Sequence, residues 1–320
     1  MSKFLIKLTI FAIIFVIFNH TFVNYYYKEN KKNNPKITKW NSIKNKSDKY
    51  DIILLGSSRC YSSFNPLVID SITKMKSFNM CTGLQNLKES YFILKDILRF
   101  QNPKYIVYEI YPPCLSQKPD LVQVFKNSEQ MSQKGKWDIL TNGYFKEKLI
   151  DILIPIKTYS RYIRSNPIRL LKGDNKIYID DSKWFKGYKY DAKSIDSTFI
   201  SNLKPIEPLR KMEMSKIEIE KNMTLLIELC KENNLELIFI RTAYPPKRFN
   251  ETLKDENHIY FRNFSLKKGI SFYDLNYSVN KEYKNTDFSD SHHLNSKGAE
   301  KASIELSIIL NDLNFKNITK

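Results

Sequence analysis

The chain reads as an α/β protein: a three-layer α/β/α domain around a five-stranded, mostly parallel sheet. Three observations predict this. Short apolar runs with β-branched members, such as Ile52–Leu55 and Tyr105–Ile110, have the unbroken hydrophobicity of strands buried on both faces. Other stretches carry apolar residues three and four apart, the period of one helix face. The two kinds alternate along the chain, as a parallel sheet with helical crossovers requires.

Taken in order, residues 1–27 come first. Lys3 and Lys7 precede Leu8–Phe18, an apolar run broken only by Thr9, and Tyr25, Tyr26 and Tyr27 follow. The length approaches the roughly 20 residues of a membrane-spanning helix, and the tyrosines suit an interfacial belt. Asn19–Tyr27 lacks the small residues of a cleavage site, so the segment is expected to be an uncleaved single-pass anchor. Lys28, Lys31, Lys32 and Lys36 follow it, so charge alone does not orient it. Residues 28–48 are rich in Lys and Asn without an apolar period, and read as a linker. The folded domain is expected over 49–320.

Within that domain, strands are expected at Ile52–Leu55, Ser77–Met80, Tyr105–Ile110, Leu235–Ile240 and Ile270–Tyr273. Helix faces are formed by Leu87, Tyr91, Leu94 and Leu98, by Ile219, Met223, Leu226 and Cys230, and by Ala299, Ala302, Leu306 and Ile309. Residues 114–210 break the rhythm and are too long for a crossover. They read either as an inserted cap over the carboxyl edge of the sheet or as a helical layer without a binding role.

The net charge is +18, but the lysines are scattered and no nucleic-acid motif is present, so a nucleic-acid partner is not expected. The four cysteines form no Cys-x-x-Cys pair, which argues against a metal site. Cys60 and Cys81 each follow a strand, and a disulfide between them is possible outside the cytoplasm. No cofactor is expected.

The first strand ends in Gly56-Ser57-Ser58-Arg59, which puts small polar groups at the carboxyl edge, where open α/β sheets build their sites. Far along the chain stands Asp290-Ser291-His292-His293-Leu294-Asn295-Ser296-Lys297-Gly298, holding two of the four histidines. An Asp three residues before a His can bond its Nδ1–H and leave Nε2 as a base, and a serine at a strand edge can be the nucleophile. On these two blocks the chain resembles the SGNH (GDSL-type) hydrolase superfamily. The resemblance implies a flavodoxin-like sheet, Ser58 as nucleophile, His293 as base and Asp290 as orienting acid. It also implies an oxyanion hole from the backbone N–H groups of Ser58 and of Gly83, in Asn79-Met80-Cys81-Thr82-Gly83. The family's third block usually offers an Asn, whereas Tyr108-Glu109-Ile110-Tyr111 stands here. Arg59, Asn79 and Arg241 are the candidate substitutes for that donor.

The expected function is a serine esterase or O-acyltransferase acting on an acylated envelope glycan or another acyl donor. The domain is expected to be extracytoplasmic and held at the membrane, with a membrane-bound O-acyltransferase as a candidate partner, in the layout of proteins that acylate cell-wall polymers. The alternative is an inactive module of the same fold that binds a glycan or a membrane partner.

Overall fold

A computed structural model describes residues 2–28, 35–116, 121–144, 183–206, 214–250, 255–278 and 282–318. Strands β1 (Ile52–Leu55), β2 (Ser77–Asn79), β3 (Tyr105–Glu109), β6 (Glu236–Arg241) and β7 (Ser271–Asp274) form one parallel sheet in the order β2-β1-β3-β6-β7. A separate two-stranded hairpin pairs β4 (Trp184–Phe185) with β5 (Tyr188–Lys189). Sequence and structure place the sheet strands within a residue of each other at each end, as helix and strand limits ordinarily scatter.

Alternate side chains explain the three layers. Ile53, Leu55, Ile106, Tyr108, Leu237 and Phe239 face one core, shared with helices α2 (Pro35–Lys44), α5 (Leu87–Ile97), α6 (Lys216–Glu232) and α7 (Glu256–Lys268). Ile52, Leu54, Tyr105, Val107, Ile238 and Ile240 face the other, shared with α3 (Ser58–Ser63), α4 (Pro66–Thr73) and α8 (Ser296–Ile318). Both faces being covered is why these strands read as continuous apolar runs. In α8 it is Leu310, not Ile309, that joins the core, and buried Ser303 and Ser307 allow close approach to its neighbours. Ser303 Oγ accepts the N–H of Asn65, the cap of α4, at 2.8 Å.

One expectation is corrected. Residues 35–44, expected as linker, form α2, because Trp40 and Ile43, one helical turn apart, bury themselves in the first core. Of the stretch 114–210, residues 117–120, 145–182 and 207–210 lie outside the described residues. The described part is divided over the fold, and Phe199, Leu203 and Lys204 lie beside the loop that carries His292. The helices Leu121–Ser128 and Gln133–Asp138 lie on the α5 side, contributing Val124, Met131 and Ile139 to the first core, whereas the β4–β5 hairpin pairs with the edge of β2 through Asn79 N–H and Lys186 C=O (3.0 Å). The expected N-terminal anchor falls on α1 (Ser2–Lys28), a single helix with exposed apolar side chains between Phe4 and Phe18. Among the described residues no helix is long and apolar enough to cross a membrane.

The join of β1 to α3 admits only glycine. Gly56 has φ +143°, and a Cβ there would lie 2.7 Å from Glu109 Cβ. Gly56→Ala is therefore expected to lower stability by about 2–4 kcal/mol, read as a shift of the urea midpoint. An unchanged midpoint would contradict this packing.

Candidate active site

The sheet order reverses at β1, and the crevice beyond its carboxyl end is where such sheets admit ligands. The two serines there have different environments. Ser57 caps α3: its Oγ accepts the Arg59 N–H at 3.2 Å and donates to Glu109 Oε2 at 2.8 Å. Its own N–H reaches the same carboxylate oxygen at 3.2 Å, and Ser57 is buried. Ser58 is thereby the first helical residue and keeps its hydroxyl partly open to solvent.

The loop before α8 supplies the other two groups. Asp290 Oδ1 accepts the backbone N–H groups of His292 (2.7 Å) and His293 (2.9 Å), folding the four residues into a tight turn. A bridge between Phe288 and Leu294 closes it, with Leu294 buried. Asn295 Oδ1 then accepts from the N–H groups of Lys297 and Gly298, starting α8. A Cβ at Gly298 would lie 2.3 Å from the Asp287 carbonyl, which accounts for the glycine. The spacing Asp-x-x-His-Leu-Asn-x-x-Gly thus encodes a turn, a plug, a cap and a close approach.

This places Asp290 Oδ2 2.8 Å from His293 Nδ1, and His293 Nε2 2.8 Å from Ser58 Oγ. A carboxylate only accepts, so the neutral ring carries its proton on Nδ1 and Nε2 accepts from the serine hydroxyl. Burial pushes the Asp290 carboxyl up, but the bond to His293, its charge and the two backbone N–H groups outweigh it. They hold Asp290 well below the usual carboxylate range. The arrangement can withdraw a proton from Ser58 as its oxygen attacks an electrophile.

The Ser58 N–H opens α3 and the Gly83 N–H lies in the neighbouring loop. Among the described residues neither donates to an intramolecular acceptor. Thr82 N–H bonds to the Gly56 carbonyl at 3.1 Å, which holds the Gly83 loop beside the turn. The Cys60–Cys81 disulfide, with a Cα–Cα distance of 5.9 Å, joins the same two segments, two residues from Ser58 and from Gly83.

The other candidate contacts lie elsewhere. Asn79 is fully buried, and its amide donates to the carbonyls of Cys60 (3.2 Å) and Phe64 (3.0 Å) while accepting from Cys81 N–H. Arg241, also fully buried, pairs with Asp255 (2.6 Å) and Asp274 (2.9 Å). Arg59 spans the site from below. It donates to Thr242 Oγ1 and to the carbonyls of Thr242 and Ala243, lies 3.7 Å over the Tyr244 ring and stands beside Glu109. Asn79 and Arg59 brace the backbone around the site and Arg241 ties two carboxylates together; all three are buried. Sequence reasoning did not assign Glu109 a role, although a carboxylate ending a buried strand was the visible signal. It also passed over Tyr61, whose phenol is pushed up by burial and hydrogen-bonds with Ser58, and Trp184, tilted against it at 5.3 Å.

No family model and no curated protein matches the chain. Among solved structures it is similar to one assigned as a lipolytic protein of the G-D-S-L family from Desulfitobacterium hafniense DCB-2. That alignment has 10% identity and a TM-score of 0.40, and covers 81% of this chain and 98% of that one. It is also similar to one assigned as an acylhydrolase from Bacteroides fragilis NCTC 9343, with 10% identity, a TM-score of 0.39, and coverage of 82% and 91%. The functional reading rests on the residues and their geometry.

Opening the Cys60–Cys81 link removes a closure of the unfolded chain worth about 3 kcal/mol for a loop of this length. Replacing both cysteines by serine is expected to lower the unfolding free energy by about that amount, measured in urea. The parent treated with a reductant should behave alike, and a loss under about 0.5 kcal/mol would show that the link is not formed.

Proposed function

We propose that the chain is a serine esterase or O-acyltransferase working through an acyl-enzyme on Ser58. The observation that carries this is the continuous pair of 2.8 Å contacts from Asp290 through His293 to a partly exposed serine hydroxyl. Ser58 Oγ attacks the ester carbonyl while its proton passes to His293 Nε2. The Ser58 and Gly83 N–H groups take the developing oxyanion. His293 returns the proton to the departing alkoxide, the C–O bond breaks, and the acyl group remains on Ser58. Water or an acceptor hydroxyl then attacks, giving its proton to His293, which restores it to Ser58 Oγ. Asp290 holds the imidazole throughout and stabilises its cationic form.

An acylated carbohydrate is the substrate class this reading favours. Tyr61 and Trp184 offer aromatic surface beside the nucleophile, suited to the apolar face of a sugar ring. The exposed apolar side chains of α1 support association with a membrane, and the Cys60–Cys81 disulfide supports an oxidising, extracytoplasmic location. In that setting a membrane-bound O-acyltransferase is the partner that would supply or receive the acyl group. The second reading, an inactive binding module, is favoured by one observation: a buried carboxylate, Glu109, stands where the family's third block usually offers an Asn.

Two measurements separate these readings. A fluorophosphonate probe should label the parent on Ser58 and fail to label Ser58→Ala or His293→Ala. Equal labelling of Ser58→Ala would end the acyl-enzyme reading. With 4-nitrophenyl acetate, Asp290→Asn is expected to lower kcat about 10⁴-fold, because the amide no longer fixes the Nδ1–H tautomer.

A further inference from the structure

Next to the proposed base lies a cavity of about 340 Å³ whose wall includes Phe199, Leu203, Lys204, Arg248, Ser291 and His292. Ser291 and His292 are the residues between Asp290 and His293, and the two histidine rings lie 6.3 Å apart. A group bound in the cavity is therefore one residue away from the reacting serine hydroxyl's partner.

The polar part of the wall is cationic or neutral and donating. Arg248 Nη1 donates to the Ser291 carbonyl at 3.0 Å and to His292 Nδ1 at 2.9 Å, which fixes the guanidinium on the loop that carries the base. A guanidinium has no acceptor, so His292 Nδ1 must be the unprotonated nitrogen and the neutral ring bears its proton on Nε2. Burial first, then the charges of Arg248 and Arg59, push His292 down to about 4, so it stays neutral in ordinary buffers. The Lys204 ammonium is exposed and has no ion-pair partner among the described residues. None of the cavity's described lining residues is acidic, while Phe199 and Leu203 supply an apolar side. Elsewhere in the domain Arg241 is matched by Asp255 and Asp274, and Arg59 by Glu109.

We infer that this cavity is a subsite for a negatively charged group on the ester substrate, with Lys204 as the residue that selects for it. The inference rests on the esterase reading above and deepens it: the substrate is an anionic ester, its carboxylate, phosphate or sulfate lying on either the acyl or the alcohol side. The charge of +18 adds long-range attraction for such molecules.

Three esters test this on the full chain: neutral 4-nitrophenyl acetate, the mono-4-nitrophenyl ester of adipic acid, and 4-acetoxybenzenesulfonate. The second carries its charge on the acyl side and the third on the alcohol side. Lys204→Gln is expected to raise KM about fivefold for one anionic ester, the scale of a single exposed ion pair, with kcat and the neutral ester unchanged. Lys204→Arg should restore the parent value, and the affected ester identifies which side enters the cavity. Equal effects on all three esters, or none on any, would overturn the inference. Absence of fluorophosphonate labelling would instead strike the esterase reading. The subsite is then read by calorimetric titration of Ser58→Ala, with and without Lys204→Gln, using adipate and 4-hydroxybenzenesulfonate. Identical affinities in the two variants would reject it.

Discussion

The contact on which this architecture depends is that of the Glu109 carboxylate with the turn that ends β1. Glu109 is buried at the end of β3, directly against Gly56, and it accepts both the N–H and the hydroxyl of Ser57. Burial raises its pKa, while Arg59 and Ser57 act in the opposite direction. A carboxylate in this position is costly unless bonded and paired. The two Ser57 bonds and the Arg59 charge offset part of that cost, burial still prevailing, and the bonds fix where the strand stops and α3 starts. Ser57 is committed to capping, so the next residue takes the first helical position with its hydroxyl outward.

The remaining parts of the site are held to that turn from several directions. Arg59 reaches from α3 to the end of β6 and stacks on Tyr244. Asn79 and the Cys60–Cys81 disulfide tie the Gly83 loop to the same helix. The loop before α8 is shaped by its own hydrogen bonds and then set against α3 by the packing of α8 on that side of the sheet. Polar residues at the carboxyl edge thus divide into a buried bracing set and a small half-exposed set, Ser58, Asp290 and His293. The first restrains the backbone so that the second needs little reorganisation.

The same division extends beyond the triad. Arg248 binds the Asp290–His293 turn from outside and, through His292 Nδ1, decides which ring nitrogen of His292 keeps a proton. Together with Lys204 it gives the neighbouring cavity a positive wall.

Much of this was legible in the sequence. Strand runs, helix faces, the parallel order and the two site blocks depend on local composition and period, which the chain carries in its residues. The Asp290–His293 turn is local too, since all its hydrogen bonds lie within a few residues. What the sequence could not decide were the meetings of distant segments. That Trp40 and Ile43 join a core, that Asn79 and Arg241 are held in buried pairings, and that Glu109 lies against the turn of Ser57 are outcomes of packing between parts far apart in the chain. Burial and pairing are properties of neighbourhoods in space, and only the folded sheet brings those neighbours together.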